Sequence, residues 1–223
     1  MSAPFPRQEG RLSSLAGSAL ALYRASRHPG VRNFVRKTIL RFEGGPVYSH
    51  TIRQIYREFH GVDVGLYTIG PCDVPPGGLD PGTRVGRYSS IYYTVRAITS
   101  QDPSATLSAD RLFPPEALGQ RADPHYGTLT IGSDVWMGHD VILLPTVRSV
   151  GDGVVVGAGS VVHADIPPYA VVTGNPARVV RFRFSEKKIQ ELLESKWWLK
   201  SIEELEPEME KHRQPQEGTA TVR

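Results

Sequence analysis

The chain has a single cysteine, Cys72. It can close no internal disulfide, and a cysteine-based structural zinc site is excluded with it. No apolar run approaches the roughly 20 residues that a membrane-spanning helix needs. Charged residues make up 22% of the 223 residues and hydrophobic ones 39%, the balance of a folded globular chain rather than a disordered one. The apolar stretch Leu12–Leu22 lacks a clear cleavage pattern and runs at once into Arg24 and Arg27, which argues against a secretory leader. What the chain has in excess is glycine (22) and proline (18), clustered in a way that points to many turns.

The net charge of +3 hides an uneven spread: residues 1–60 hold ten Lys/Arg against three Asp/Glu, a local +7, leaving −4 for the rest. A basic head on a mildly acidic body suits an anionic surface. Nucleic acid is not the expected partner, because no aromatic stacking module or recognised binding motif accompanies the charges. Within the head, Val31, Phe34, Val35, Ile39 and Phe42 recur at helical spacing, with Arg32, Arg36, Lys37 and Arg41 between them. The pattern predicts a basic amphipathic helix, ended by Gly44-Gly45-Pro46, that packs on the body or makes peripheral contact with an anionic membrane. Val47, Ile52, Ile55, Tyr56 and Phe59 predict another helix that stops near Gly61, with His60 placed to complement its C-terminal dipole.

After residue 61 a six-residue period takes over. An aliphatic residue leads, a small one usually follows, two turn residues come next, then a small or β-branched one. Val64–Ile69, Leu79–Arg84, Val85–Ser90 and Ile91–Arg96 fit, as do Ile131–Trp136, Met137–Ile142 and Leu143–Arg148. One extra residue, Ser149, shifts the frame, and Val150–Val155, Val156–Val161 and a worn Val162–Pro167 complete the series. Such hexads build a parallel β-helix whose leading aliphatic residues point into a prism and whose coils stabilise one another by stacking. Two segments interrupt the period, a Pro/Gly-rich Gly70–Gly78 and a longer excursion over 99–128. Ser185 opens a helix with Ile189, Leu192, Leu193 and Trp197 on one face, placed to cap the coils. The expected organisation is a basic helical segment over 1–60, a β-helix over 61–184 and a helix over 185–206. A flexible tail over 207–223 completes it.

On these hexads, on Gly157-Ala158-Gly159-Ser160 and on Gly174-Asn175-Pro176-Ala177-Arg178, with Lys196-Trp197-Trp198 beyond, the chain resembles the left-handed β-helix hexapeptide acyltransferases. The branch it is similar to acetylates streptogramins, chloramphenicol and other xenobiotics, or polysaccharides. The resemblance covers about residues 47–205. It implies a homotrimer with active sites between subunits, acetyl-CoA as co-substrate, a small-molecule or saccharide hydroxyl as acceptor, no metal, and a cytoplasmic setting. Carried residue by residue, it implies coenzyme contacts at Trp136, Gly157, Ala158, Ser160, Gly174, Asn175, Pro176 and Arg178, with Arg181 and Arg183 as further phosphate partners.

The family's general base is a histidine near the start of the long excursion. Here that stretch reads Ser100-Gln101-Asp102-Pro103, with Asp102 in the histidine's place. A free Asp has a pKa near 3.9 against about 6.5 for His, so it is the weaker base. Three readings follow: Asp102 serves with a raised pKa, another histidine serves (His125 or His139), or the protein binds coenzyme or sugar without turnover.

Overall fold

A computed structural model describes residues 13–99 and 127–211. Three helices come first: α1 (Ala16–Ala25), α2 (Pro29–Phe42) and α3 (His50–His60). Ser49 caps α3 by accepting the Ile52 N–H, and Gly61 ends it in the left-handed conformation. The expected amphipathic helix is α2, but its faces differ from the expectation. Val35 and Ile39 are buried as predicted, whereas Phe34 is 66% exposed and Phe42 61% exposed. Arg36, expected among the basic positions between the apolar ones, is buried, and its guanidinium donates to the carbonyls of Cys72 and Val74. The Gly70–Gly78 bend presents those carbonyls, so the arginine ties the helices to the coils. His60 stands in the last turn of α3 as expected, and its Nε2 also lies 2.8 Å from the Tyr23 hydroxyl, a contact between α1 and α3. Burial, with Arg32 and Arg36 nearby, lowers its pKa.

The coils follow as short strands. One face of the prism carries β1 (Asp63–Val64), β2 (Thr83–Val85), β5 (Leu129–Ile131) and β8 (Ser149–Val150). The second carries β3 (Ser90–Ile91), β6 (Trp136–Met137), β9 (Val155–Val156) and β11 (Ala170–Gly174), with β12 (Ala177–Phe182) returning antiparallel at its edge. The third carries β4 (Arg96–Ala97), β7 (Ile142–Leu143) and β10 (Val161–Val162). Every coil-to-coil pairing is parallel, as in Thr130↔Ser149, Trp136↔Val155 and Ile142↔Val161. The inserted Ser149 opens β8, and the Asp165 carboxylate accepts the Arg148 and Ser149 N–H groups there, bridging the irregular turn.

The hexad explains the packing. Its first and fifth residues point inward: Ile131, Met137, Leu143, Val150 and Val156 from the first, Val135, Val141, Val147 and Val154 from the fifth, all buried. The second position is glycine because the coils touch there. A Cβ on Gly86 would stand 2.5 Å from the Gly132 carbonyl carbon, one on Gly132 2.6 Å from the Asp152 nitrogen, and one on Gly138 2.8 Å from the Ala158 nitrogen. The fourth position turns the corner with a positive φ, at Tyr67, Tyr88, Asp134, Asp140, Gly82, Gly153 and Gly159.

At the C-terminal end the structure corrects the expected single helix. Lys196, at φ 44°, breaks it into α4 (Glu186–Ser195) and α5 (Ile202–Lys211), with a 3-10 turn at Trp197–Leu199 between them. No residue of α4 is buried, so the face expected to cap the coils does not do so in this chain; Trp198 and Leu205 are the buried anchors. Helix α5 also runs past residue 206 into the segment expected to be a tail.

Candidate functional site

The three edges of the prism are built differently. The edge between the first and second faces is filled by side chains. Tyr48, Tyr67, Tyr88 and Trp197 form a column with ring centroids 5.8, 4.8 and 5.3 Å apart. Arg87, 1% exposed, donates to the carbonyls of Leu199 and Lys200, with its guanidinium 5.2 Å from the Tyr67 ring and 5.7 Å from that of Tyr88. Higher up, Arg183 pairs with Asp134 at 2.8 Å, donates to the Gly153 carbonyl and covers the Tyr169 ring. The structure therefore commits Arg183 to this packed edge, a correction to its expected role as a phosphate partner. Arg181 is exposed, and its guanidinium reaches the Phe182 carbonyl at 3.4 Å.

The edge between the second and third faces is bare among the described residues. His139 stands on it in the third coil. Gly138 packs directly under Ala158 of the next coil, and Gly157 lies against Thr173 of the one above. A Cβ placed on Gly159 would meet no atom within 4 Å. Gly174 and Asn175 turn the chain from β11 to β12, with a cis peptide at Asn175-Pro176, and Arg178 follows beside His163. Arginine only donates, so in the 3.1 Å contact between Arg178 Nη1 and His163 Nε2 the imidazole nitrogen is on the accepting side. The sequence offered no signal for this pairing, since the residues meet only through the β11–β12 reversal.

Small residues along this edge do not make a nest of unused donors. The Gly157 N–H donates to the Val172 carbonyl, and the Gly159 N–H to the His139 carbonyl. The Ser160 hydroxyl is buried, donating to the Gly157 carbonyl at 2.6 Å and accepting the Gly174 N–H. The edge offers an open track, with Trp136 half-exposed on the neighbouring face. That shape, ending at Arg178, fits a thin ligand with an anionic tail, as coenzyme A is.

Below Ala158 the track reaches His139. The imidazole stacks on Tyr92 with centroids 4.0 Å apart, and the ring of Tyr93 meets it edge-on at 5.6 Å. Its Nδ1 lies 3.2 Å from Thr94 Oγ1, which also accepts the Asp140 N–H at 2.8 Å. With Nδ1–H donating to that oxygen, Nε2 presents a lone pair. Beneath His139 a cavity of about 460 Å³ opens, lined by Ile69, Gly70, Asp73, Tyr92 and Tyr93 among others. His139 thus sits where the bare track meets a side-chain-lined hollow. Asp102 and His125, the other candidate bases, lie outside the described residues. The excursion that carries them leaves and returns at another edge, where the Gly127 N–H donates to the Thr99 carbonyl at 2.8 Å.

A prism of stacked hexads with one packed edge and one bare edge defines a hexapeptide-repeat β-helix protein. No family model matches the chain. It is similar to the chloramphenicol acetyltransferase of Escherichia coli, 41% identical over 150 residues that cover 66% of each chain. It is similar also to that of Agrobacterium fabrum (strain C58), 49% identical over 72 residues, or 32% of this chain and 34% of the other. Among solved structures, a hexapeptide-repeat acetyltransferase of Vibrio cholerae in complex with acetyl coenzyme A matches with a TM-score of 0.38 and 18% identity, over 77% of this chain and 87% of that one. The chain spans between about a third and about two thirds of the length of these two curated relatives. It belongs to the hexapeptide-repeat acyltransferases, and its fold is their left-handed parallel β-helix, with N-terminal and C-terminal helices as expected.

Proposed function

We propose that the protein transfers an acetyl group from acetyl-CoA to a hydroxyl of a small molecule or saccharide, with His139 as general base. The observation that carries this reading is the position of His139, at the junction between the bare edge and the cavity. The coenzyme lies along Ala158, Gly159 and Gly174 with its phosphates toward Arg178, and the acceptor enters from the cavity. Nε2 of His139 takes the hydroxyl proton as the oxygen attacks the thioester carbonyl carbon. The C–O bond forms, the C–S bond breaks, and the coenzyme leaves as a thiolate that the imidazolium reprotonates. Products are an acetyl ester and free coenzyme A.

One bare edge supplies one wall of a coenzyme groove, and a homotrimer supplies the other from a neighbouring protomer. The same reading places the protein in the cytoplasm, where its co-substrate is made. None of the described helices is long and apolar enough to cross a membrane. Peripheral contact with an anionic membrane rests on α2, whose exposed side carries Phe34, Lys37 and Arg41.

Appearance of free thiol from acetyl-CoA tests the reading, measured with chloramphenicol and a panel of hydroxylated acceptors. Thiol release that depends on acceptor, and that falls in His139→Gln, is the expected result. If calorimetry shows no coenzyme binding, the reading fails outright. Binding without release for any acceptor leaves a coenzyme-binding scaffold instead. Should Asp102→Asn or His125→Ala stop turnover while His139→Gln does not, the base belongs to the excursion.

A further inference from the structure

We propose that the cavity beneath His139 is a cation subsite, so that the acceptor is a hydroxylated compound carrying a positively charged nitrogen. The inference deepens the acetyl-transfer reading by naming its acceptor class. It rests on what lines the hollow. The volume of about 460 Å³ is that of a small-molecule site. Its polar wall is Asp73, at the turn of the Gly70–Gly78 bend and exposed. One carboxylate oxygen, Oδ2, accepts the Gly70 N–H at 2.9 Å, and the residue lines the hollow. No ion pair to Asp73 occurs among the described residues. Two cations of the chain act on Asp73 through space, Arg53 and Arg36, while burial pushes its pKa up. Both arginines are buried and spend their guanidinium donors on backbone carbonyls, Cys72 and Val74 for Arg36 and Gly65, Pro46 and Ser49 for Arg53, so neither bonds the carboxylate directly.

The opposite wall is aromatic. Tyr93 is 62% exposed and Tyr92 40%. A carboxylate facing exposed aromatic rings is the combination that recognises substituted ammonium groups: the rings attract the cation through their quadrupoles, and the acid supplies the counter-charge. A neutral acceptor gains only apolar contact from the same walls. The geometry also sets the reach. A compound with its nitrogen against Asp73 and Tyr93 extends its hydroxyl toward His139, which lines the same cavity.

The test uses an isosteric pair, choline and 3,3-dimethylbutan-1-ol, which share shape and hydroxyl and differ in the charge at the quaternary centre. Equilibrium binding to the full chain is measured by calorimetry without acetyl-CoA, and thiol release is measured separately with it. Choline is expected to bind at least about tenfold more tightly than its neutral isostere. Asp73→Asn, which keeps an acceptor for the Gly70 N–H, should bring that ratio near one. Tyr93→Leu should reduce it several-fold. Equal binding of the two alcohols, binding of neither, or a ratio that Asp73→Asn and Tyr93→Leu leave intact overturns the proposal. A choline preference without thiol release from choline or any other acceptor of the panel supports the subsite and refutes the acetyl-transfer reading. Release without a charge preference does the reverse.

Discussion

Two edges of the same prism share their backbone plan and differ in what stands on it. Both turn at the fourth hexad position with a positive φ. On the packed edge that position holds Tyr67 and Tyr88, with Tyr169 in the same conformation above them. Bulky residues there carry strain of order 1–3 kcal/mol each. They are tolerated because their rings build the column that Arg87 and Trp197 complete. On the bare edge the corresponding residues are Asp140 and Gly159, followed by Gly174, and all three are exposed among the described residues. Packing is concentrated where the chain closes on itself, and the edge left open is the one that ends in an arginine and borders a cavity. A glycine-lined turn alone would not separate a coil corner from a ligand track; the contrast with the filled edge does.

The largest expected effect falls on the bare edge. His139→Gln should lower turnover about 10²–10⁴-fold while coenzyme affinity changes little. Single-turnover thiol release and calorimetry read the two quantities separately. Loss of affinity together with turnover would mean that the imidazole only shapes the track.

On the packed edge the effect should appear in stability. Arg87→Met removes the donors to the Leu199 and Lys200 carbonyls and the cation between two tyrosine rings. A loss of about 2–4 kcal/mol is expected in denaturant unfolding. Coenzyme affinity of the folded fraction should stay near that of the parent protein. If affinity falls in step with stability, the two edges are not independent and the comparison breaks.

Arg178→Ala sharpens the other side of it. A charge-assisted phosphate bond is worth about 1.5–3 kcal/mol, so coenzyme should bind roughly tenfold to a hundredfold more weakly. His163→Phe tests the positioning. It removes the acceptor that holds the guanidinium and should weaken binding less than Arg178→Ala does. Unfolding should move little in Arg178→Ala, because the side chain is exposed.

The six-residue period made the prism legible, because the same physical demand recurs in every coil. Aliphatic residues such as Ile131, Met137 and Val156 must point inward, and Gly86 and Gly132 must let the next coil approach. The edges were less legible. Nothing in the phase of Tyr88 separates a corner residue from a member of an aromatic column, since its partner Trp197 lies more than a hundred residues away in sequence. Burial of arginines was not legible for the same reason. Arg36 sits in a basic helical pattern, and only the Gly70–Gly78 bend brings it backbone carbonyls. Arg183, proposed for phosphate, is taken up by Asp134. His139 was visible as a candidate, but its place between track and cavity needed the stacking of three coils. Asp73 carried no sequence signal at all, because its neighbours Tyr92 and Tyr93 come from the next coil.

The smallest effect concerns how the helices are fixed to the packed edge. Glu43, fully buried, accepts the Ser49 and Thr51 hydroxyls and the Ser13 and Thr51 N–H groups. It thereby holds the segment that sets Tyr48 on Tyr67. Burial pushes the Glu43 carboxyl up, but the hydrogen bonds from Ser49, Thr51 and Ser13 outweigh it and the pKa is lowered. A carboxylate whose folded pKa lies below its unfolded value contributes stability that is present above the ordinary glutamate range near 4.3. That contribution is lost as the pH falls through the lowered folded value. Asp134 and Asp152 have the opposite sign, because burial raises both. Acid therefore relieves a cost at those two sites while it removes the support at Glu43. The total pH profile mixes these signs, but Glu43→Gln isolates one of them. The variant should be about 1 kcal/mol less stable at neutral pH, and the gap to the parent should close as the pH falls through the lowered folded value of Glu43. Thermal unfolding of the pair at several pH values measures it. A gap that persists unchanged in acid would mean that the shape of the side chain, rather than its charge, holds the helices against the packed edge.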